Sequence, residues 1–221
     1  MKQTAHGIWL PDRDKHFAEV LSHPKKKSDW GRYQTHIYRM VMEHLDEHHR
    51  RVAVDVGAHV GLLSIQMAEH FKYVIGFEAW EENAKCFRRN VEAPNVRLIN
   101  RALGNKCGGA TLRIIPDNSG ANFIENTNAT PHPVAGELWN VPMQRLDSYD
   151  LQDVDLIKLD IQGYEEQVLL GAQDTIMRNK PVILIEEVGL SGDDRAIHLL
   201  STWDYQEAER WTKDRVMIWQ G

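Results

Sequence analysis

The chain has 221 residues, of which 42% are hydrophobic and 26% charged, and its formal net charge is -6. That is enough for one α/β domain with a full core, and two domains would be cramped. The acidic balance excludes a dedicated nucleic-acid binder, which carries a basic excess.

No apolar run approaches the roughly 20 residues that span a bilayer. The opening MKQTAHGIWLPDRDKHF lacks the apolar stretch of a signal peptide. A cytoplasmic protein with no membrane partner and no nucleic-acid partner is expected. Cys86 and Cys107 give no disulfide framework and no Cys-x-x-Cys spacing, so both read as structural thiols. Homo-oligomerisation stays open.

Residues Met1 to Trp30 read as an irregular polar lead-in, broken by Pro11, Pro24 and the solvated run Lys25-Lys26-Lys27. From Tyr33 to His48, Ile37, Met40, Val41, His44 and Leu45 recur at helical spacing. An alternation follows: strand Arg51–Val56, helix Gly61–His70, strand Lys72–Glu78, helix Glu81–Val91, strand Val96–Asn100. Short connections in that order require a parallel sheet with right-handed crossovers. Gly108–Ile115 and Leu138–Met143 then read as short strands around a polar loop, Pro116–Gly136. This insertion predicts a hairpin with a long loop of the kind that covers binding sites.

The alternation resumes with strand Val154–Asp160, helix Tyr164–Leu170 stopped by Gly171, and the apolar strand Pro181–Glu186. A short helix, Asp193–Leu200, precedes a hairpin of Tyr205–Trp211 and Arg215–Trp219. The predicted fold is a doubly wound, Rossmann-like α/β sheet ending in an antiparallel hairpin.

Ligands of open α/β sheets bind at the carboxyl ends of the strands. There the first strand ends in Asp55-Val56-Gly57-Ala58-His59-Val60-Gly61. Gly57 permits a tight turn and a close ligand, and Gly61 lets the helix start near the sheet. A dinucleotide fingerprint, Gly-x-Gly-x-x-Gly, would need glycine where His59 stands. An imidazole crowds the space of a diphosphate, whereas a nucleoside without phosphates tolerates it. Glu78 follows Gly57 at the distance of an acidic residue that accepts ribose hydroxyls, which fits either nucleoside type.

These residues resemble the FkbM-type family of S-adenosylmethionine-dependent methyltransferases. The resemblance is carried by VDVGAHVG at Val54–Gly61, GFEA at Gly76–Ala79, Asn83 and Asn90, NRALG at Asn100–Gly104, RLDS at Arg145–Ser148, DLIKLDIQGYEEQVLLGA at Asp155–Ala172 and ILIEE at Ile183–Glu187. It implies a seven-stranded methyltransferase sheet and S-adenosyl-L-methionine as cofactor. Residues 1–50 would be a lead-in and helix, and 51–221 the methyltransferase domain, with an insertion at about 108–143. Asp55, Gly57 and Gly61, with Ala58 and His59 between, would hold the methionine part. Glu78, beside Ala79, would bind the ribose, Arg101 and Ala102 would lie against adenine, and Asp160 would face the methyl group and the acceptor. Two positions depart from the family pattern: Gln162 stands where Glu is usual, and Ala79 where Pro is usual.

A hydroxyl acceptor needs its proton removed. Asp160 is the first candidate to orient the acceptor or take its proton; its other reading is a helix cap. Glu186, ending the next strand, is the second. His59 reads as a loop contact rather than a base. His44 and His48 lie four apart on one predicted helix face, a metal-site spacing, but no third ligand accompanies them, so no metal site is assigned. The expected activity is methylation of a small-molecule or sugar hydroxyl. The competing readings are a nicotinamide-dependent oxidoreductase and a non-catalytic nucleoside-binding module.

Overall fold

The computed structural model describes residues 1–22, 34–125, 135–186 and 195–221. The Lys25–Lys27 run, Glu187 and the predicted start of the helix at Asp193 lie outside them. Two small strands, β1 (Lys2–Gln3) and β2 (Trp9–Leu10), and two helices, α1 (His16–Ser22) and α2 (Thr35–Met42), precede the main sheet. The alternating unit is β3 (Val52–Val56), α3 (Leu62–Ala68), β4 (Tyr73–Phe77), α4 (Glu81–Asn90) and β5 (Val96–Ile99). The insertion carries β6 (Ala102–Leu103), β7 (Gly108–Ile114), β8 (Phe123–Ile124) and β9 (Glu137–Gln144). The rest is β10 (Val154–Leu159), α5 (Glu165–Leu170), α6 (Gln173–Asn179), β11 (Val182–Glu186), α7 (Arg195–Ser201), β12 (Tyr205–Trp211) and β13 (Asp214–Trp219).

Seven of the described strands form one sheet in the order β12-β13-β11-β10-β3-β4-β5. β5, β4, β3, β10 and β11 run parallel, and β13 pairs antiparallel with both β11 and β12. The predicted terminal hairpin is therefore present. The winding direction reverses between β3 and β10, so a crevice opens at the carboxyl ends of these two strands. In the register there, Asp55 lies beside Lys158 and Val56 beside Leu159.

Successive strand residues point to opposite faces, and this divides the core. Val54, Val56, Ile157, Leu159, Ile183 and Ile185 pack with α5, α6 and the insertion sheet. Ala53, Val74, Leu156, Leu184 and Val216 pack with Ile37 and Val41 of α2 and with Leu63 and Met67 of α3. Each fully buried aliphatic chain contributes roughly 1.5–3 kcal/mol. No helix among the described residues is long and apolar enough to cross a membrane.

Three expectations need correction. The lead-in is not irregular: β1 and β2 pair as a hairpin, and α1 is capped by Asp14, whose Oδ1 accepts from the Phe17 amide at 2.7 Å. Its buried pair Phe17 and Leu21 packs with Leu10, Val60 and Leu62, and a helix of seven residues gives little periodicity to read. α2 ends at Met42 rather than His48: the His44 and Leu45 amides turn back to Val41 O and Met42 O at 3.1 and 3.4 Å, and farther on the Asp46 carboxylate takes the His48 and His49 amides at 2.8 and 3.1 Å. His44 and His48 therefore share no helix face, and His44 Nε2 sits 3.1 Å from Glu209. Finally, α6 went unpredicted; of its residues only Thr175 and Ile176 are buried.

The insertion forms its predicted hairpin, with β7 and β9 antiparallel along their length. β8 and β6 extend it into a second sheet, ordered β6-β9-β7-β8. This sheet is seated on the main domain at Gly171, where an added Cβ would stand 1.9 Å from the Gly104 carbonyl oxygen. Backbone cannot retreat as a side chain can. Gly171→Ala is expected to cost about 1–3 kcal/mol in a urea melt, whereas Gly109→Ala, whose new methyl meets only the Val141 carbonyl at 4.0 Å, should leave the midpoint nearly unchanged.

Candidate active site

The loop after β3 is shaped by one close approach. Gly57 has φ +76°, and a Cβ there would lie 2.1 Å from the Asp160 carbonyl oxygen and 2.9 Å from the Ile161 side chain. The Gly57 and Ala58 amides donate to Phe77 O at 3.0 and 2.9 Å, so the loop leans on β4 as well as β10. Gly61 plays a packing role: its Cβ would meet Val91 at 2.4 Å and Phe87 at 2.9 Å.

Beneath this loop lies Lys158, a buried cation in a strand whose six residues are all buried. Its ammonium donates to Gly57 O at 2.9 Å and Val56 O at 3.3 Å, and sits 3.2 Å from Asp55 Oδ1 and 3.7 Å from Asp160 Oδ2. Burial alone would pull its pKa down, but the Asp55 charge, and then that of Asp160, outweigh it and hold the lysine above its ordinary value. Asp55 has no exposed surface and also accepts from Ser64 Oγ at 2.6 Å. The lysine was overlooked in the sequence because Val154–Asp160 reads simply as a strand. A lysine inside an otherwise apolar parallel strand is the signal that could have found it.

Glu78 stands at the tip of β4. Its Oε2 accepts from the His59 amide at 2.9 Å and its Oε1 from the Trp80 amide at 2.8 Å. Burial pushes its pKa up to about 7 against these hydrogen bonds. His59 adopts φ +51°, and its Nε2 is 2.6 Å from Ser119 Oγ. The Ser119 hydroxyl in turn donates to Asp14 Oδ2, so it must accept from His59, which puts the imidazole proton on Nε2. Burial pushes His59 down to about 4, so it is neutral at ordinary pH. The Ser119 amide also donates to Asp14 Oδ2 at 2.8 Å, and its carbonyl accepts from Asn83 Nδ2 at 3.3 Å. Ser119 and Asp14 carry no motif spacing; Asn83 stands in the family resemblance, but the sequence assigns it no role in the site.

The tips of β10 and β11 carry a second polar group. Gln162 Nε2 donates to Asp160 Oδ1 at 2.9 Å and to Glu186 Oε2 at 3.1 Å. Burial would raise Asp160, but Lys158 outweighs it and holds the carboxyl below its usual range. Glu186 goes the other way: burial, then the Asp160 charge, push it up to about 8. Asp214, directly across the ladder from Glu186, is raised to about 6, again by burial first. Asp160 is therefore charged and Glu186 protonated near neutrality. Asp160 does not cap α5; Glu165 Oε1 accepts the Ile161 and Gly163 amides instead, at 3.1 and 3.2 Å.

Two clefts meet here. The first, about 570 Å³, is walled by Glu78, Ala79, Arg101, Ala102 and Phe123. The second, about 800 Å³, is walled by Asp55, Ala58, Lys158, Gln162 and Glu186. Gly57, His59, Gly120 and Asp160 border both. Of the cofactor-binding and catalytic candidates named from the sequence, all but Gly61 line one or both. Three buried amide atoms of cleft-lining residues lack any hydrogen-bond partner among the described residues: Asn83 Oδ1, Asn118 Oδ1 and Asn122 Nδ2. Such an atom costs about 1–3 kcal/mol if left unpaired.

The strand order, the reversed β13 and the crevice at β3 and β10 define a Rossmann-like methyltransferase domain. Residues 55–213 match the methyltransferase FkbM domain, and the chain belongs to that family. It is 26% identical over 144 residues to Methyltransferase 1 of Beauveria bassiana (strain ARSEF 2860), a match covering 55% of this chain and 58% of that protein. The crystal structure of methyltransferase FkbM from Methylobacillus flagellatus KT is similar with a TM-score of 0.54 and 19% identity, covering 77% of this chain and 44% of that one. StiE O-MT residues 942–1257 match with a TM-score of 0.50 and 12% identity, over 90% of this chain and 62% of that one. The chain thus spans less than two thirds of the length of these relatives.

Lys158→Met leaves Asp55 and the Gly57 carbonyl without their cation. It is expected to lose about 3–5 kcal/mol, read as a lower denaturation midpoint; an unchanged midpoint would show that the ammonium is dispensable. Stability should also respond to pH. Between pH 6.5 and 8 the folded chain retains protons on Glu78 (about 7) and Glu186 (about 8) that the unfolded chain, near 4.5, has released. Folding then binds protons, so the melting temperature should fall as pH rises through that window. Glu186→Gln should flatten the fall, and a flat wild-type profile would contradict the two raised carboxyls.

Proposed function

We propose that the chain is the catalytic core of an S-adenosyl-L-methionine-dependent methyltransferase acting on a hydroxyl of a small molecule or sugar. The observation that carries this is the pair of clefts joined at Gly57 and Asp160, with Glu78 bordering one and Glu186 the other. Such a space suits a nucleoside joined to an amino acid, with the reactive centre between them. The residues fit that group. His59 occupies room a diphosphate would need, and the surrounding carboxylates of Asp55 and Asp160 favour a cation over an anion. The unpaired amide atoms of Asn83, Asn118 and Asn122 offer further polar contacts.

When bound, S-adenosyl-L-methionine supplies a methyl group on a sulfonium centre. Glu78 accepts the ribose hydroxyls, Ala79, Arg101 and Ala102 flank the adenine, and Gly57, Ala58 and His59 border the methionine part. Asp55 and Gly61 act from behind, one through Lys158 and the other by packing the helix start. Asp160, kept charged by Lys158, orients the acceptor hydroxyl. Glu186 has the basicity to take its proton above about pH 8. Gln162 holds the two carboxylates in one arrangement, and alignment of this kind contributes up to roughly 7–11 kcal/mol in ideal cases.

Titration calorimetry tests the reading. S-adenosyl-L-methionine and S-adenosylhomocysteine should bind with Kd on the order of micromolar. Gly57→Ala should weaken both at least about tenfold, because the loop must leave Asp160. If neither compound binds, or if NAD binds in their place, the proposal fails.

A further inference from the structure

Two of the unpaired amides have a chemical sense that the surrounding hydrogen bonds determine. Asn122 stands between the turn Ser119–Ala121 and β8, and its Oδ1 accepts from the Ile115 amide at 2.9 Å. An amide donor requires the oxygen there, so the Asn122 side chain cannot be flipped, and its unpaired atom is an N–H donor. Asn83 is 2% exposed, and its Nδ2 donates to Glu78 Oε1 at 3.4 Å and Ser119 O at 3.3 Å. Its unpaired atom is therefore the oxygen, an acceptor. Both residues line the first cleft, where Ala102, Leu112, Phe123 and Ile124 supply apolar wall. A flat apolar base with an unprotonated ring nitrogen, carried on a sugar with hydroxyl donors, complements that pattern of one donor, one acceptor and apolar surface.

We propose that Asn122 is a specificity-determining residue for the base: its Nδ2 donates to a ring nitrogen of adenine, while Asn83 Oδ1 accepts from a ribose hydroxyl beside Glu78. The inference rests on the cofactor reading above and deepens it. It gives the insertion a task distinct from shaping the acceptor pocket, since Asn122 belongs to the segment between β7 and β9. A nucleoside whose base presents N–H at that position would be rejected, because two donors would face each other.

The test uses the full chain and S-adenosylhomocysteine with its 1-deaza, 3-deaza and 7-deaza adenine analogues, each replacing one ring nitrogen by C–H. Calorimetry on the wild type should show one analogue binding about tenfold or more weakly than the parent, because a buried donor is left unpaired. Asn122→Asp keeps an oxygen for the Ile115 amide and replaces the donor by a charged acceptor oxygen. That variant should bind S-adenosylhomocysteine at least about tenfold more weakly, and should no longer prefer the parent over the discriminated analogue. Equal affinity of the wild type for all four compounds overturns the inference, as does a folded Asn122→Asp chain that binds the parent with wild-type affinity. If the variant does not fold, as read by its melting curve, the wild-type comparison decides alone. A wild type that binds no S-adenosylhomocysteine at all fails earlier, in the first titration, and removes the cofactor reading itself.

Discussion

The Lys158 ammonium is the interaction on which the crevice depends. It sits where the two halves of the sheet diverge, with Asp55 on one strand, Asp160 two residues ahead on its own, and two loop carbonyls above it. A buried cation is tolerable only when its partners are close and complete. Here one charge holds β3, β10 and the Gly57 loop in a single geometry. The two acids at the strand tips are separated in the same place: Lys158 keeps Asp160 ionised against its burial, while burial, and then the Asp160 charge, leave Glu186 its proton. One embedded charge thus arranges the backbone and sets the protonation of its neighbours.

Most of the sheet was legible because its strands obey a strong rule. β3, β4, β10 and β11 are short apolar runs between turn residues, and parallel strands buried on both faces must look that way. The terminal hairpin was legible from the turn at Thr212 and Lys213. Less visible were elements whose stability comes from single side chains rather than periodicity. α1 depends on the Asp14 cap, and Asp46 takes two amides that a helix continued to His48 would need; neither event leaves a repeat in the sequence.

The site divides along the same line. Gly57, Glu78, Asp160 and Glu186 lie at strand ends, where position along an α/β chain already implies a place on the crevice, and the structure brings them to the cleft walls. Lys158, Asn83, Ser119 and Asp14 matter through contacts between segments far apart in the chain. Their partners are set by tertiary packing, so a pattern of spacings could not name them. Gln162 was visible as a departure from the family pattern, but its bridging of two carboxylates was not.

Ser119 has a consequence for how the chain acquires its binding surface. It gathers Asp14, His59 and Asn83, and its partner Asp14 is 105 residues away in the sequence. Closing so large a loop is entropically costly and slow. The cleft beside Glu78 stays unfinished until Ser119 closes on Asp14 and His59 and β10 brings Lys158 and Asp160 into place. That cleft is therefore among the last features a nascent copy completes, and among the first a partially opened one gives up.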